Sequence, residues 1–262
     1  MKTNLLRDHD FDWTLFEEVF MFAVGEDGML ATDDGARQYC VSVEQPDLTL
    51  AGVVEGMLNN EECQRVPEVR QRYADKIFAV LRLVAKALRY LHERGIVHGD
   101  LQLSTCCKFA NKWKLSGVLK MQKVGERLSN RQWMSPSLPP ECLEPRNQSS
   151  QSFEEIVRPE AEARPSMDSW AFGKLAYEVL VGEQLFDFQP DNIQQNHEVW
   201  TRVLHWNDRN VFEVRAKLQS SGVSSAARDL IAQCLAPCPD DRPVIAEILK
   251  QLRRLKEDAR DD

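Results

Sequence analysis

Few side chains in this sequence combine type and spacing in a way that can do chemistry unaided. Cys234 and Cys238 are separated as half of a zinc site would be, but no second Cys or His pair at matching spacing completes it, and buried thiols are the simpler reading. Cys106 and Cys107 stand side by side in an apolar run, and seven cysteines cannot all pair, which points to reduced thiols rather than a disulfide framework. Asp100 lies in the tripeptide His98-Gly99-Asp100, and a carboxylate in so tight a loop readily bonds to backbone amides. No G-x-G occurs anywhere, and Gly25 and Gly28 fall in what reads as a hairpin turn, so no phosphate-cradling glycine loop is evident.

These residues need elements to hold them, and the apolar periodicity supplies candidates. Residues 11–24, FDWTLFEEVFMFAV, are followed by a stretch rich in Gly and Asp and then by QYCVSVE, a pattern that predicts a β-hairpin. After Pro46 a short helix is expected over LTLAGVVEGML, then a long amphipathic one from Val69 to Arg94. Ile77, Val80, Leu81, Val84, Leu88 and Leu91 recur at helical spacing along it and form its core-facing stripe. Gly95 ends that helix, IVHGDLQLSTCCKF reads as strand, loop and strand, and Asn111-Lys112 turns the chain into WKLSGV.

Residues 119–163 lack periodicity and read as loops, including an exposed stretch near EPRNQSSQSFEE. From Pro165 the pattern is helical in four runs: SMDSWAFGKLAYEVLVG, NIQQNHEVWTRVLHW, SSAARDLIAQCLA and PVIAEILKQLRRLKE. EDARDD closes the chain as a solvated acidic tail. The order of elements is that of an α+β protein in which helix predominates.

Composition excludes several classes of function. The 262 residues suffice for one large domain, and 43% hydrophobic with 28% charged residues is ordinary for a soluble globular chain. A formal net charge of -8 repels a phosphate backbone, so nucleic acid is not an expected partner. No run approaches the roughly 20 apolar residues that cross a bilayer, and the start lacks a secretory apolar centre. The expected setting is the cytoplasm or nucleus, with no membrane partner and a protein partner of unknown identity.

Four separated segments, in order, carry a family resemblance. His98-Gly99-Asp100-Leu101 follows a long helix ending ALRYLHERGIV; Pro139-Pro140-Glu141 comes next; then Asp168, Trp170 and Gly173; finally Asp241-Arg242-Pro243. Together these resemble the catalytic loop, the end of the activation loop, the central buried helix and the approach to the last helix of the eukaryotic protein kinase family. The resemblance covers roughly residues 15–257. It implies a kinase-like fold, with residues 1–46 as the remnant of a shortened β lobe and hinge, 47–257 as the helical lobe and 258–262 as the tail. A complete β lobe would need about twice the 40 or so residues that precede the hinge.

The same resemblance assigns roles. Asp100 falls at the place of the catalytic base, Val43 at the gatekeeper, and Glu44, Gln45 and Pro46 at the hinge, with Thr105 and Cys107 completing the nucleotide-facing set. Thr105 stands where the family has a magnesium-binding asparagine, and Gly117-Val118-Leu119 stands where it has Asp-Phe-Gly. No lysine and partner glutamate for the phosphates can be named. No metal ligand is therefore expected, nor a bound cofactor, and ATP with magnesium only if the protein is active. Gly99 replaces an arginine that grips phosphorylated activation loops, and Ser129, Ser135 and Ser137 are candidate modification sites of a kind usually found merely solvated. Glu141 and Arg242 are expected to pair and Asp168 to hold the catalytic loop's backbone. The 26 residues between Glu141 and Asp168 read as a long, tolerated loop. The implied function is that of a catalytically impaired kinase homologue working as scaffold or allosteric partner. The alternative is an active serine/threonine kinase that uses Asp100.

Overall fold

The computed structural model describes residues 11–22, 30–31, 37–38, 40–61, 67–128, 137–144, 158, 160–188 and 193–261. Strand β1 (Val19–Phe22) pairs antiparallel with β4 (Cys40–Val43), and β2 (Leu30–Ala31) pairs with β3 (Arg37–Gln38) between them, so the hairpin pattern is realised. The glycines assigned to its turn, Gly25 and Gly28, lie outside the described residues.

The apolar run at 11–18 is not strand, however. Phe11, Trp13 and Phe16 cluster with Tyr90 of the long helix, whose hydroxyl accepts from Asp12 N–H at 2.8 Å. Phe16 then forms an isolated parallel bridge with Leu115. Aromatic burial thus draws this segment onto the helical lobe, and pairing with β4 starts only at Val19.

Beyond the hinge, β5 (Leu48–Thr49) leads into α1 (Leu50–Leu58), whose first turn is capped by the Thr49 hydroxyl accepting from Gly52 N–H at 3.2 Å. Helix α2 (Pro67–His92) buries Ile77, Val80, Leu81, Val84, Leu88 and Leu91, the stripe that the periodicity marks. After β6 (Ile96–Val97), β7 (Cys106–Phe109) and β8 (Lys112–Leu115) form a hairpin in a sheet ordered β5-β7-β8, and β6 pairs with β9 (Gln122–Lys123). The hairpin turn is Ala110-Asn111, with Ala110 at φ +50°, and Lys112 already belongs to the strand.

The rest is helical: α3 (Pro165–Val181), α4 (Ile193–Leu204), α5 (Asp208–Ser220), α6 (Ser225–Cys234) and α7 (Ile245–Asp261). Helix α5 falls where the sequence pattern indicates none. Only Val214 and Leu218 of its thirteen residues are buried, and Phe212 is 71% exposed, so charge and polarity mask the stripe. Its start is set instead by Asn207, whose side chain accepts from Arg209 N–H at 3.0 Å. The acidic tail likewise continues α7 as helix to Asp261. Among the described residues no helix is long and apolar enough to cross a membrane.

Helix α3 is the axis of the lobe. Every residue from Met167 to Val179 is buried, as befits a helix enclosed by others. Trp170, fully buried, meets Trp206 edge-on at 5.3 Å and Phe186 at 6.3 Å. Lys174 and Glu178 are buried together as an ion pair at 2.8 Å, and Glu178 also accepts from Leu185 N–H at 3.2 Å, which satisfies a charge pair that would otherwise be costly in the core. Gly173 lets α6 approach: a Cβ there would lie 2.6 Å from Cys234 Cβ and 3.3 Å from its carbonyl carbon. Gly173→Ala is therefore expected to lower stability by about 1–3 kcal/mol through overpacking, despite alanine's better helix propensity. Urea unfolding measures it, and an unchanged midpoint would contradict this packing.

Candidate functional site

The site is built on the loop between β6 and β7, held from below by one carboxylate. Asp168, in the first turn of α3 and 0% exposed, accepts from His98 N–H and Gly99 N–H, each at 2.9 Å, and meets His92 Nε2 at 2.8 Å. Burial opposes its ionisation, but the hydrogen bond and charge of His92, aided by the backbone donors, outweigh burial and hold the carboxyl below its ordinary range. The loop's backbone is thereby fixed. The His98 ring is fixed as well: its Nδ1 accepts from Asp100 N–H at 3.3 Å, so the ring proton sits on Nε2 and is donated to the Ser116 carbonyl at 2.8 Å.

Asp100 is 3% exposed, and among the described residues its carboxylate meets side chains rather than the backbone amides that the tight loop suggests. Lys120 Nζ lies 2.6 Å from Oδ2, and Gln102 Nε2 donates to Oδ1 at 3.2 Å. Both oxygens are engaged by side chains. Thr105 is spent on the loop: its hydroxyl accepts from Gln102 N–H at 3.0 Å and lies 2.9 Å from Gln102 O and 3.3 Å from Asp100 O, so its one proton goes to a loop carbonyl. Cys107 donates its thiol to the Ser104 carbonyl at 3.3 Å, with Ser116 Oγ 3.6 Å from its sulfur, and burial pushes that thiol up.

Gly117 adopts φ +85°, a left-handed conformation that glycine takes freely and that Asp and Asn also tolerate. A Cβ added there would stand 3.5 Å from His98 Cε1 and 3.6 Å from Thr105 Cγ2, ordinary contact distances. A side chain therefore has space, and what disfavours one here is the left-handed backbone rather than crowding. A carboxylate does reach this point, from Glu17, which sequence reasoning missed. Its Oε1 accepts from Gly117 N–H at 2.8 Å, with Val118 N–H as a further donor. Burial raises the Glu17 carboxyl above its ordinary value, and those two donors pull it only partly back. Glu17 acts here as a backbone anchor for the turn after β8.

Of the hinge residues, Val43 ends β4 opposite Val19, and Glu44 N–H donates to Glu18 O at 3.2 Å. The Glu44 carboxylate meets Lys114 of β8 at 3.4 Å, and Glu18 meets the same lysine at 3.7 Å. Gln45 is exposed. The hinge is thus joined to the β7-β8 hairpin through Lys114, while Asp100, Thr105, Cys107 and Gly117 gather at the hairpin's base. Lys114, Lys120 and Gln102 join Glu17 as contributors that no spacing pattern in the sequence reveals.

The supporting pair is as the resemblance implies. Arg242 meets Glu141 in a two-point contact at 2.7 and 2.9 Å, donates to the carbonyls of Ala236 and Pro237, and stacks 4.9 Å over Trp170. Removing one partner of such a pair costs about 3–5 kcal/mol. Ser137 is buried and donates to the Leu101 carbonyl at 2.6 Å, so it is a clasp on the loop and not an exposed modification site. Ser129 and Ser135 lie outside the described residues. Cys234 is buried and Cys238 exposed, and no group of three metal-binding side chains occurs among the described residues.

A family model for the protein kinase domain matches residues 48–252. A receptor-type guanylate cyclase of Caenorhabditis elegans is 25% identical over 185 residues, 68% of this chain and 15% of its own length. A calcium/calmodulin-dependent protein kinase type I of Schizosaccharomyces pombe is 27% identical over 175 residues, 66% of this chain and 46% of its own length. The serine/threonine-protein kinase PLK2 of Mus musculus is 28% identical over 174 residues, 65% of this chain and 21% of its own length. The chain thus spans less than half the length of each of these relatives.

The Asp168 clamp has a pH signature. The unfolded carboxyl titrates near about 3.9, and the folded one lower. Its stabilisation is therefore complete above about pH 4 and is lost as pH falls through the folded value. Urea unfolding from about pH 5 down to 3 should show wild-type stability falling with acid, with a flatter acid limb and a lower plateau for Asp168→Asn. Parallel curves would contradict the clamp.

Proposed function

The chain belongs to the protein kinase family, and from that premise we propose that it works by binding other proteins, as scaffold or allosteric partner, without magnesium-dependent phosphoryl transfer. The observation that carries the reading is Gly117. Phosphoryl transfer asks the protein for positioning and charge neutralisation, above all a carboxylate on the metal that bridges the phosphates. At this position no side chain is present: the residue is a glycine in a left-handed conformation, and the space a Cβ would enter is not blocked. Thr105 does not compensate, because a hydroxyl is a poorer magnesium ligand than a carboxamide and its oxygen already accepts from Gln102 N–H. Metal stabilisation is worth several kcal/mol, and losing about 4 kcal/mol slows a step roughly a thousandfold.

Asp100 supports the second reading, an active serine/threonine kinase, since it occupies the base's place and two of the relatives above bear kinase names. Against it stands the contact of Asp100 with Lys120, which occupies an oxygen of the carboxylate that would accept the substrate proton. Lys120 is 45% exposed and would have to swing away before catalysis.

A thermal shift titration separates the two. A ligand present at about 100 times its Kd stabilises by about 2.7 kcal/mol, which for a chain of this size raises Tm by about 5–10 °C. The binding-protein reading expects ATP with magnesium to give no rise beyond ATP alone. A magnesium-dependent rise, with phosphate transfer abolished by Asp100→Asn, would replace it with the active kinase.

A further inference from the structure

A second concavity lies away from the cleft, and none of the cleft residues lines it. It encloses about 940 Å³ between β5 and α1 on one side, α2 at its centre, the outer end of the β7-β8 hairpin, and α7. Its floor is apolar, with Leu50, Ile77, Val80 and Leu249 buried beneath it and Trp113 half-buried at its wall. Its rim carries Lys76, Arg82 and Lys86 from α2, Lys108 and Lys112 from the hairpin, and Arg253 from α7.

Among the described residues six cations and no carboxylate line this groove, in a chain whose net charge is -8. The groove is opposite in sign to the molecule that carries it. Among the described residues Lys86, Lys108, Lys112 and Arg253 take part in no ion pair, and Lys86, Lys112 and Arg253 are exposed. These charges stand on three separate elements around one apolar floor. A cluster so arranged loses nothing to internal pairing when it meets an anion.

We infer that this groove is a docking site for an acidic peptide segment of a partner protein, one that interleaves carboxylates with apolar side chains. The apolar floor takes the hydrophobic anchors, and the lysines and arginine around it meet the acidic positions, an arrangement that supplies both affinity and direction. A nucleic-acid backbone satisfies the rim but leaves the floor unfilled, and the molecule's overall charge opposes its approach. A neutral apolar peptide fills the floor but makes no use of the rim. The inference goes beyond the reading of the cleft, because the groove's charge stands whether or not phosphate is transferred.

The test uses the whole chain and a displayed library of random twelve-residue peptides, alongside a variant carrying Lys86→Glu and Lys112→Glu. Both positions are exposed, and an unchanged Tm certifies the variant's fold. Peptides enriched on the wild type should be acidic and rich in Leu, Ile or Phe, and the charge-reversed chain should lose them. Synthesised and followed by fluorescence anisotropy, they should bind the variant at least about tenfold more weakly and weaken as salt rises. Enrichment of nothing, enrichment of non-acidic peptides, equal binding to the variant, or tighter binding of a single-stranded oligonucleotide than of any acidic peptide would each overturn the docking site. Failure of any of these leaves the thermal shift of the cleft with nucleotide unaffected, so the two readings fall separately.

Discussion

The carboxylate of Asp168 ties together three parts of the chain that are far apart in sequence: the first turn of α3, the end of α2 through His92, and the backbone of the loop at His98 and Gly99. Because it is fully buried, its charge survives only while all three partners are in place, and each partner is positioned by the same charge. From that fixed point the rest of the site follows. His98 is oriented towards Ser116, Ser116 N–H donates to the Thr105 carbonyl, and Asp100 is placed at the mouth of the loop. The second tether, Arg242 between Glu141 and Trp170, fixes the opposite side of α3.

What these tethers hold in place is the frame on which the proposed binding role rests. At the turn after β8 the frame presents a glycine with room beside it, and the acidic group in reach, Glu17, is occupied by backbone donors. At the loop, the one carboxylate in a catalytic position is matched to Lys120. The basic groove on another face, where Lys86, Lys108, Lys112 and Arg253 take part in no ion pair among the described residues, fits the proposed binding role.

Much of the fold is legible in the sequence, and the reason is periodicity. The stripe along α2, the helical run of α3 after Pro165 and the glycine stop at Gly95 are local patterns that dictate local structure. Helix α5 is hidden because two buried residues in thirteen do not make a stripe, and the aromatic run at 11–18 misleads because its burial partner, Tyr90, is distant in sequence. The site divides similarly. Positions set by motif order, such as Asp100, Asp168 and the Glu141 to Arg242 pair, can be read directly. Glu17, Lys114 and Lys120 cannot, because their roles come from contacts across the hinge and the β8 turn, which no spacing rule encodes.

If the cleft offers no anchor for a divalent cation, as proposed, manganese reports on it directly. Electron paramagnetic resonance of free manganese, titrated with the protein in the presence of a non-hydrolysable ATP analogue, should show the signal set by the analogue alone, indifferent to added protein. Stoichiometric loss of the signal on adding wild-type protein, relieved by Asp100→Asn, would place a cation in the cleft and contradict the account.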